Sequence, residues 1–221
     1  MINKESLCII PARGGSKRIP RKNIKLFKGK PMLNWAIEIA KNSNLFKDII
    51  VSTDDNEIAN IALKAGVEVP FIRPKELSDD ITTTVPVISH GISEMKKIGK
   101  NYKFVCCIYP CNPFLLSEDL KATFTILTEG NHHFVYPITE YKHPIQRALK
   151  RLPNGKVLFI EPFNELTRTQ DLEKRYHDSG SFYWGKESSW LSKMKMHTDG
   201  VTYVIPSVSY THLTLPTNTV V

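Results

Sequence analysis

The chain has 221 residues, of which 41% are hydrophobic and 24% charged, and its formal net charge is +8. That length suits one large α/β domain with a substantial buried core, and the composition is that of a soluble globular protein. The excess of positive charge favours a polyanionic partner: a nucleic acid, an anionic membrane surface or a phosphorylated small molecule.

The four cysteines are Cys8, Cys106, Cys107 and Cys111. None has C-x-x-C spacing, and three fall in or beside apolar runs, so buried thiols explain them better than disulfides or zinc. The opening "MINKESLCII" has too short an apolar run for a signal peptide, and no segment is long enough to span a bilayer. The expected location is the cytoplasm.

Residues 6–12, "SLCIIPA", read as a buried strand. Residues 31–43 place Leu33, Ala36, Ile37 and Ala40 at helical spacing, with Pro31 near the start. "DIIVST" (48–53) is strand-like. The helix that follows buries Ile58, Ile61, Ala62 and Ala65, with Gly66 as its C-terminal cap. "VEVPFI" (67–72) is expected to be a strand, and 84–99 a helix with Pro86 in its first turn. "FVCCIY" (104–109) is a further strand, and Ser117 is the expected N-cap of a helix to residue 130.

This alternation predicts a mainly parallel, Rossmann-like sheet with helices on both faces and a ligand site at the carboxyl ends of the strands. After residue 139 the rhythm changes. Residues 147–160 read as two strands joined across Pro153-Asn154-Gly155, and 181–185 and 201–206 as strands returning to the core. The expectation is one domain over 1–206, with 139–180 inserted as a small β-rich arm, either a lid or a dimer arm. The tail, 207–221, contains no Asp, Glu, Lys or Arg and shows no clean periodicity.

The most informative stretch is "IIPARGGSKRIPRKN", residues 9–23. Gly14 and Gly15 can take positive φ and turn backbone N–H groups toward an anion. Arg13, Lys17, Arg18, Arg21 and Lys22 can then neutralise the charges of a triphosphate. The Walker pattern G-x-x-x-x-G-K-[ST] and the dinucleotide pattern G-x-G-x-x-G are both absent. Asp54 and Asp55 after "VST" invite a metal reading, but Asp55 suits a helix N-cap better.

The pattern P-A-R-G-G-S-K-R-I-P-x-K-N resembles the signature of the sugar-acid cytidylyltransferases, the CMP-sialic acid synthetase family. "VSTDDNEIA" (51–59), "EVPFIRPKELSDD" (68–80), "CCIYPCNPF" (106–114), "HPIQRAL" (143–149) and "RTQDLEKRYHDSGSFYWG" (168–185) extend the resemblance over residues 6–206. Within the family it is nearest the branch that uses pseudaminate, with legionaminate and sialate as the alternatives.

The resemblance implies a nucleotide-diphospho-sugar transferase fold and attack of a nine-carbon 2-keto sugar acid on the α-phosphate of CTP. It implies Arg13 and Lys22 as the catalytic cradle of the triphosphate, with Gly14, Gly15 and Lys17 alongside. Asn23, Arg73 and Thr84 fall where the family meets cytosine and ribose, although Asn23 also suits a turn and Thr84 a helix cap. Arg168 suits the sugar carboxylate. Tyr109, Gln146, Gln170, His177 and Asp178 suit its hydroxyl and acetamido groups, while Tyr109 also suits core packing and Gln146 the arm. The family pairs into homodimers through the arm and uses Mg²⁺, here expected to arrive with the CTP phosphates. Its acidic D-x-D ending is missing, so the tail is expected to be a replaced or lost terminus, with activity impaired. A nucleic-acid-binding module remains the alternative from another class, although no RNP-like strand or helix-turn-helix pattern is present.

Overall fold

The structure is a computed structural model that describes residues 5–17, 19–192 and 194–206. The strands are β1 (Ser6–Pro11), β2 (Leu26–Phe27), β3 (Lys30–Pro31), β4 (Asp48–Ser52), β5 (Phe104–Ile108) and β6 (Phe134–Glu140). They continue as β7 (Leu149–Arg151), β8 (Val157–Phe159), β9 (Tyr176–Asp178), β10 (Phe182–Lys186) and β11 (Gly200–Val204). The helices are α1 (Met32–Ser43), α2 (Asn56–Lys64), α3 (Thr84–Lys97), α4 (Ser117–Glu129) and α5 (Glu187–Leu191).

One seven-stranded sheet runs β11-β6-β10-β5-β1-β4, with β9 also paired to β6. β1 is parallel to both β4 and β5, and β11 is parallel to β6. β10 is antiparallel to β5 and β6, and β9 is antiparallel to β6. The sheet is therefore mixed, with five strands in one direction and two opposed. β9 and β10 lie along the same side of β6, like one reversed strand interrupted at Ser179–Ser181. Gly180 takes φ +59 at the break, where the ladder changes register.

Alternate side chains of the strands fill two apolar layers. Cys8, Ile10, Cys106, Ile108 and Trp184 face α1, α2 and α4, while Leu7, Ile9, Val105, Cys107 and Tyr183 face α3 and α5. The two buried indoles are satisfied: Trp184 Nε1 donates to the Leu120 carbonyl at 3.2 Å and Trp190 Nε1 to the Val105 carbonyl at 3.1 Å.

Asp55 is the N-cap of α2, its carboxylate accepting the Ile58 N–H at 3.0 Å, and Gly66 takes φ +73 just beyond the helix end. Ser117 is instead the first residue of α4, following Leu116 at the cap position, and its hydroxyl turns to Glu118. Residues 67–72 form no strand. Only the bridges Ile50↔Glu68 and Thr53↔Ile72 join them to the sheet edge, because Pro70 removes a ladder donor.

The arm is a separate hairpin, with β7 and β8 pairing Leu149↔Phe159 through Arg151↔Val157 around Gly155 at φ +83. Its ends belong to the main sheet, since Thr139 and Glu140 lie in β6 opposite His177 and Tyr176 of β9. The departure from the sheet thus covers 141–175. Arg18, Lys193 and the tail 207–221 lie outside the described residues. Among those described, no helix is long and apolar enough to cross a membrane.

Candidate active site

The loops after β1 and β5 leave in opposite directions from adjacent strands. A crevice opens between them at the carboxyl edge of the sheet. It has a volume of about 740 Å³, within the span of small-molecule sites. Arg13, Lys17, Lys22, Asn23, Arg73, Thr84, Tyr109 and Asp178 line it, so eight of the residues singled out in the sequence meet in one place.

The cationic loop is held by its own hydrogen bonds. Asn23 is buried, and its amide donates to the Arg13 carbonyl at 2.8 Å, while the Cys111 thiol lies 3.2 Å from its Oδ1. Arg21 takes φ +54, and its guanidinium spans both oxygens of Asp55 at 2.5 and 3.0 Å and reaches Glu57. Arg21 thereby ties the loop to α2 and is not aimed at the crevice. Lys22 has no carboxylate partner among the described residues, which leaves its ammonium available to a ligand.

Neither Gly14 nor Gly15 has positive φ, contrary to the expectation for an anion nest. Gly14 is needed for another reason: an added Cβ would stand 2.6 Å from Asp55 Oδ2. Its N–H is already taken by Asp54 at 2.9 Å. A Cβ on Gly15 would meet nothing within 4 Å, so that position is open toward solvent.

Arg73 is only 4% exposed. Its N–H bonds the Thr53 carbonyl at 2.7 Å, which hangs it at the end of β4, and its Nε donates to Ser78 at 3.0 Å. Desolvation pushes its pKa down, opposed by Asp54 with an oxygen 3.9 Å away. A buried guanidinium so loosely paired is poised for further acceptors in the crevice.

Thr84 begins α3 but is not its cap, which is Thr83. The Thr84 hydroxyl is bonded to the Tyr109 hydroxyl. Tyr109 packs edge-on against Tyr183, and burial pushes its phenol up to about 12, so it is a neutral phenol at physiological pH. Tyr183 donates to Asp178 Oδ2 at 2.7 Å, and His197 Nε2 lies 2.9 Å from the same oxygen. Asp178 Oδ1 accepts the Gly180 N–H at 2.8 Å, which fixes the break between β9 and β10.

The structure does not bring Gln146, Arg168, Gln170 or His177 to this crevice. Gln146 is buried in the arm, donating to the Glu173 carbonyl, because the arm folds over its amide. Arg168 and Gln170 are exposed, Arg168 at the start of the short turn Thr169–Asp171 and Gln170 within it, on the segment that has left the sheet. His177 alternates with Asp178 along β9, and its ring packs against Tyr141 with centroids 4.7 Å apart.

Asp79, Asp80 and Cys111 line the crevice without having been singled out for it. Arg13 donates to the Asp79 carbonyl and pairs with Asp80 at 2.7 Å, and Lys17 pairs with the same carboxylate. The available signal was the acid pair ending "RPKELSDD", a few residues after Arg73. The crevice carboxylates are engaged by Arg13, Lys17, backbone N–H groups, Tyr183 and His197. No group of three metal-ligating side chains forms among the described residues.

The cytidylyltransferase family model matches residues 7–194. The chain is 42% identical over 189 residues to the pseudaminic acid cytidylyltransferase of Campylobacter jejuni subsp. jejuni serotype O:2, covering 86% of this chain and 82% of that one. It is 32% identical over 183 residues to the N-acylneuraminate cytidylyltransferase A of Danio rerio, covering 81% of this chain and 41% of that protein. Among solved structures, a CMP:2-keto-3-deoxy-manno-octonic acid synthetase complexed with CTP superposes with a TM-score of 0.66 at 15% identity, covering 91% of this chain and 90% of the other. The chain belongs to the cytidylyltransferase family.

Proposed function

We propose that the chain activates a nine-carbon 2-keto sugar acid, pseudaminate, with CTP. The anomeric hydroxyl oxygen bonds to the α-phosphorus, the bond from that phosphorus to the α,β-bridging oxygen breaks, and the hydroxyl proton leaves to solvent. CMP-sugar and pyrophosphate result. The observation that carries the reading is the meeting of Arg13, Lys17, Lys22 and Arg73 with Thr84, Tyr109 and Asp178 in one crevice of a family member. In-line transfer at phosphorus needs chiefly positioning and charge stabilisation, which fixed cations supply.

In this reading Arg13 and Lys22 hold the triphosphate, with Lys17 and the loop around Gly14 and Gly15 beside them. Asn23, Arg73 and Thr84 face the nucleoside, and Tyr109 and Asp178 face the sugar. Magnesium comes as part of the nucleotide substrate, held by phosphates and water, and no step is routed through a protein-bound metal. The identity to the Campylobacter enzyme favours pseudaminate over legionaminate and sialate.

Arg168 and Gln170 are displayed on an arm whose Leu149, Val157, Leu158 and Phe163 are at least half exposed. A homodimer joined through that arm would cover these side chains and carry Arg168 and Gln170 toward a neighbouring crevice. The free cysteines suit a reducing compartment, the cytoplasm. Against a nucleic-acid module, Arg13, Lys17 and Arg21 are already paired to Asp80, Asp55 and Glu57 and form no open basic stripe.

The test is pyrophosphate release with CTP and Mg²⁺ and each sugar acid offered in turn. Turnover should be highest with pseudaminate, absent with CTP alone, and lowered on the order of 10²-fold or more in Arg13→Ala and Lys22→Ala. Release with none of the sugar acids would overturn the activity, and a faster rate with legionaminate or sialate would overturn the choice of sugar.

A further inference from the structure

The proposed chemistry leaves unexplained why a carboxylate stands among the cations meant for phosphates. Asp80 pairs with Arg13 at 2.7 Å and also with Lys17, and all three side chains line the same crevice. A guanidinium edge engaged by a carboxylate cannot serve a phosphate at the same time.

Asp79, its neighbour, has a different task. Its carboxylate accepts the N–H groups of Ile81 at 3.0 Å and Thr82 at 2.6 Å, which closes a local turn. That turn is anchored on one side by the Arg73–Ser78 bond and on the other by the bond from the Thr82 hydroxyl to the Glu76 carbonyl. The backbone is thus held independently of Asp80. The Asp80 side chain is 37% exposed, and Lys17 is 83% exposed, so a change of rotamer is enough to release Lys17 and the Nη2 edge of Arg13, while the Arg13 Nη1 stays on the Asp79 carbonyl.

We infer that Asp80 is an exchangeable internal anion, which competes with the nucleotide's β- and γ-phosphates for Arg13 and Lys17 and so hastens the departure of pyrophosphate. The inference rests on the nucleotide reading of the crevice. CTP brings several charges together with a nucleoside that binds elsewhere in the crevice, and it displaces an exposed, weakly held carboxylate. Pyrophosphate lacks the nucleoside contacts, so re-pairing of Asp80 bears more heavily on the product. A carboxylate here trades some affinity for the substrate against faster clearing of the site.

Asp80→Asn and Asp80→Ala test this by titration calorimetry with CTP, CMP, cytidine and inorganic pyrophosphate. Both variants should bind pyrophosphate and CTP roughly two- to tenfold more tightly, the span set by exposed ion pairs. Cytidine affinity should not change, and pyrophosphate should become a stronger product inhibitor. Asp79→Ala, which loosens the turn itself, should weaken CTP binding, so a purely structural role for Asp80 would move affinity the opposite way. Unchanged or weaker pyrophosphate binding in both Asp80 variants, with CTP still bound by the unaltered chain, would overturn the inference. Failure of the unaltered chain to bind either CTP or pyrophosphate would overturn the nucleotide reading, and the inference with it.

Discussion

Asn23 donates its side-chain amide to the backbone carbonyl of Arg13 at 2.8 Å, a bond that crosses the base of the cationic loop and ties its end to its beginning. Removing it leaves a carbonyl without its donor. Asn23→Ala should cost about 1–3 kcal/mol of stability, read as a lower denaturant midpoint at unchanged slope. The Michaelis constant for CTP should rise in the same variant. Asn23→Asp should be worse, since it sets a carboxylate against the carbonyl. Unaltered stability in both would show that the bond contributes nothing.

The two glycines should behave differently. A methyl on Gly14 runs into Asp55 Oδ2, whereas one on Gly15 meets nothing. Gly14→Ala is expected to destabilise by about 1–3 kcal/mol, as overpacked sites do. Gly15→Ala should be nearly neutral in thermal unfolding, because its methyl meets no neighbouring atom. Equal melting temperatures for the two variants would contradict this.

Asp55 links stability to acid. The hydrogen bond from Arg21, foremost, holds its carboxyl below the ordinary carboxylate range. Its folded value therefore lies under its unfolded value of about 3.9. The stabilisation is fully present above that unfolded value and is lost as the pH falls through the folded one. Asp55→Ala should lower stability at neutral pH by about 1 kcal/mol for the cap alone. It should also flatten the acid limb of a stability-against-pH curve measured by urea unfolding.

Cys111 should be a slow but selective thiol. Burial pushes it up to about 11, with Lys22 pulling the other way, while Cys8, Cys106 and Cys107 are fully buried. Iodoacetamide should modify Cys111 alone in the folded chain, with a rate that climbs about tenfold per pH unit below its pKa. CTP should protect it, since it lines the crevice. Lys22→Ala should slow the reaction further. Fast labelling at neutral pH, or equal labelling of all four thiols, would refute the assignment.

Much of the architecture was legible because periodicity reports which faces are buried. The strands around residues 6, 48 and 104 and the helices at 31, 55 and 84 follow from it directly. The direction of β10 was not legible, since reversal depends on where the arm re-enters the sheet, and periodicity carries no direction. The crevice was readable from the cations and from Arg73, because residue types at strand ends suggest chemistry. Three things escaped: the pairing of Asp80 with Arg13, the closeness of Gly14 to Asp55, and the enclosure of the Gln146 amide. Each joins residues distant in the chain, or depends on an arm whose path only the folded structure defines.

Glu140 and Tyr176 face each other across the last rung of the β6–β9 ladder, and everything from 141 to 175 hangs between them. A detour that leaves and rejoins on facing rungs puts almost no constraint on its own length. Its length and side chains can change while the crevice at the carboxyl edge of the sheet stays put. An engineer could likewise exchange it for a short turn, since none of its residues lines the crevice and Tyr109 and Asp178 lie outside it.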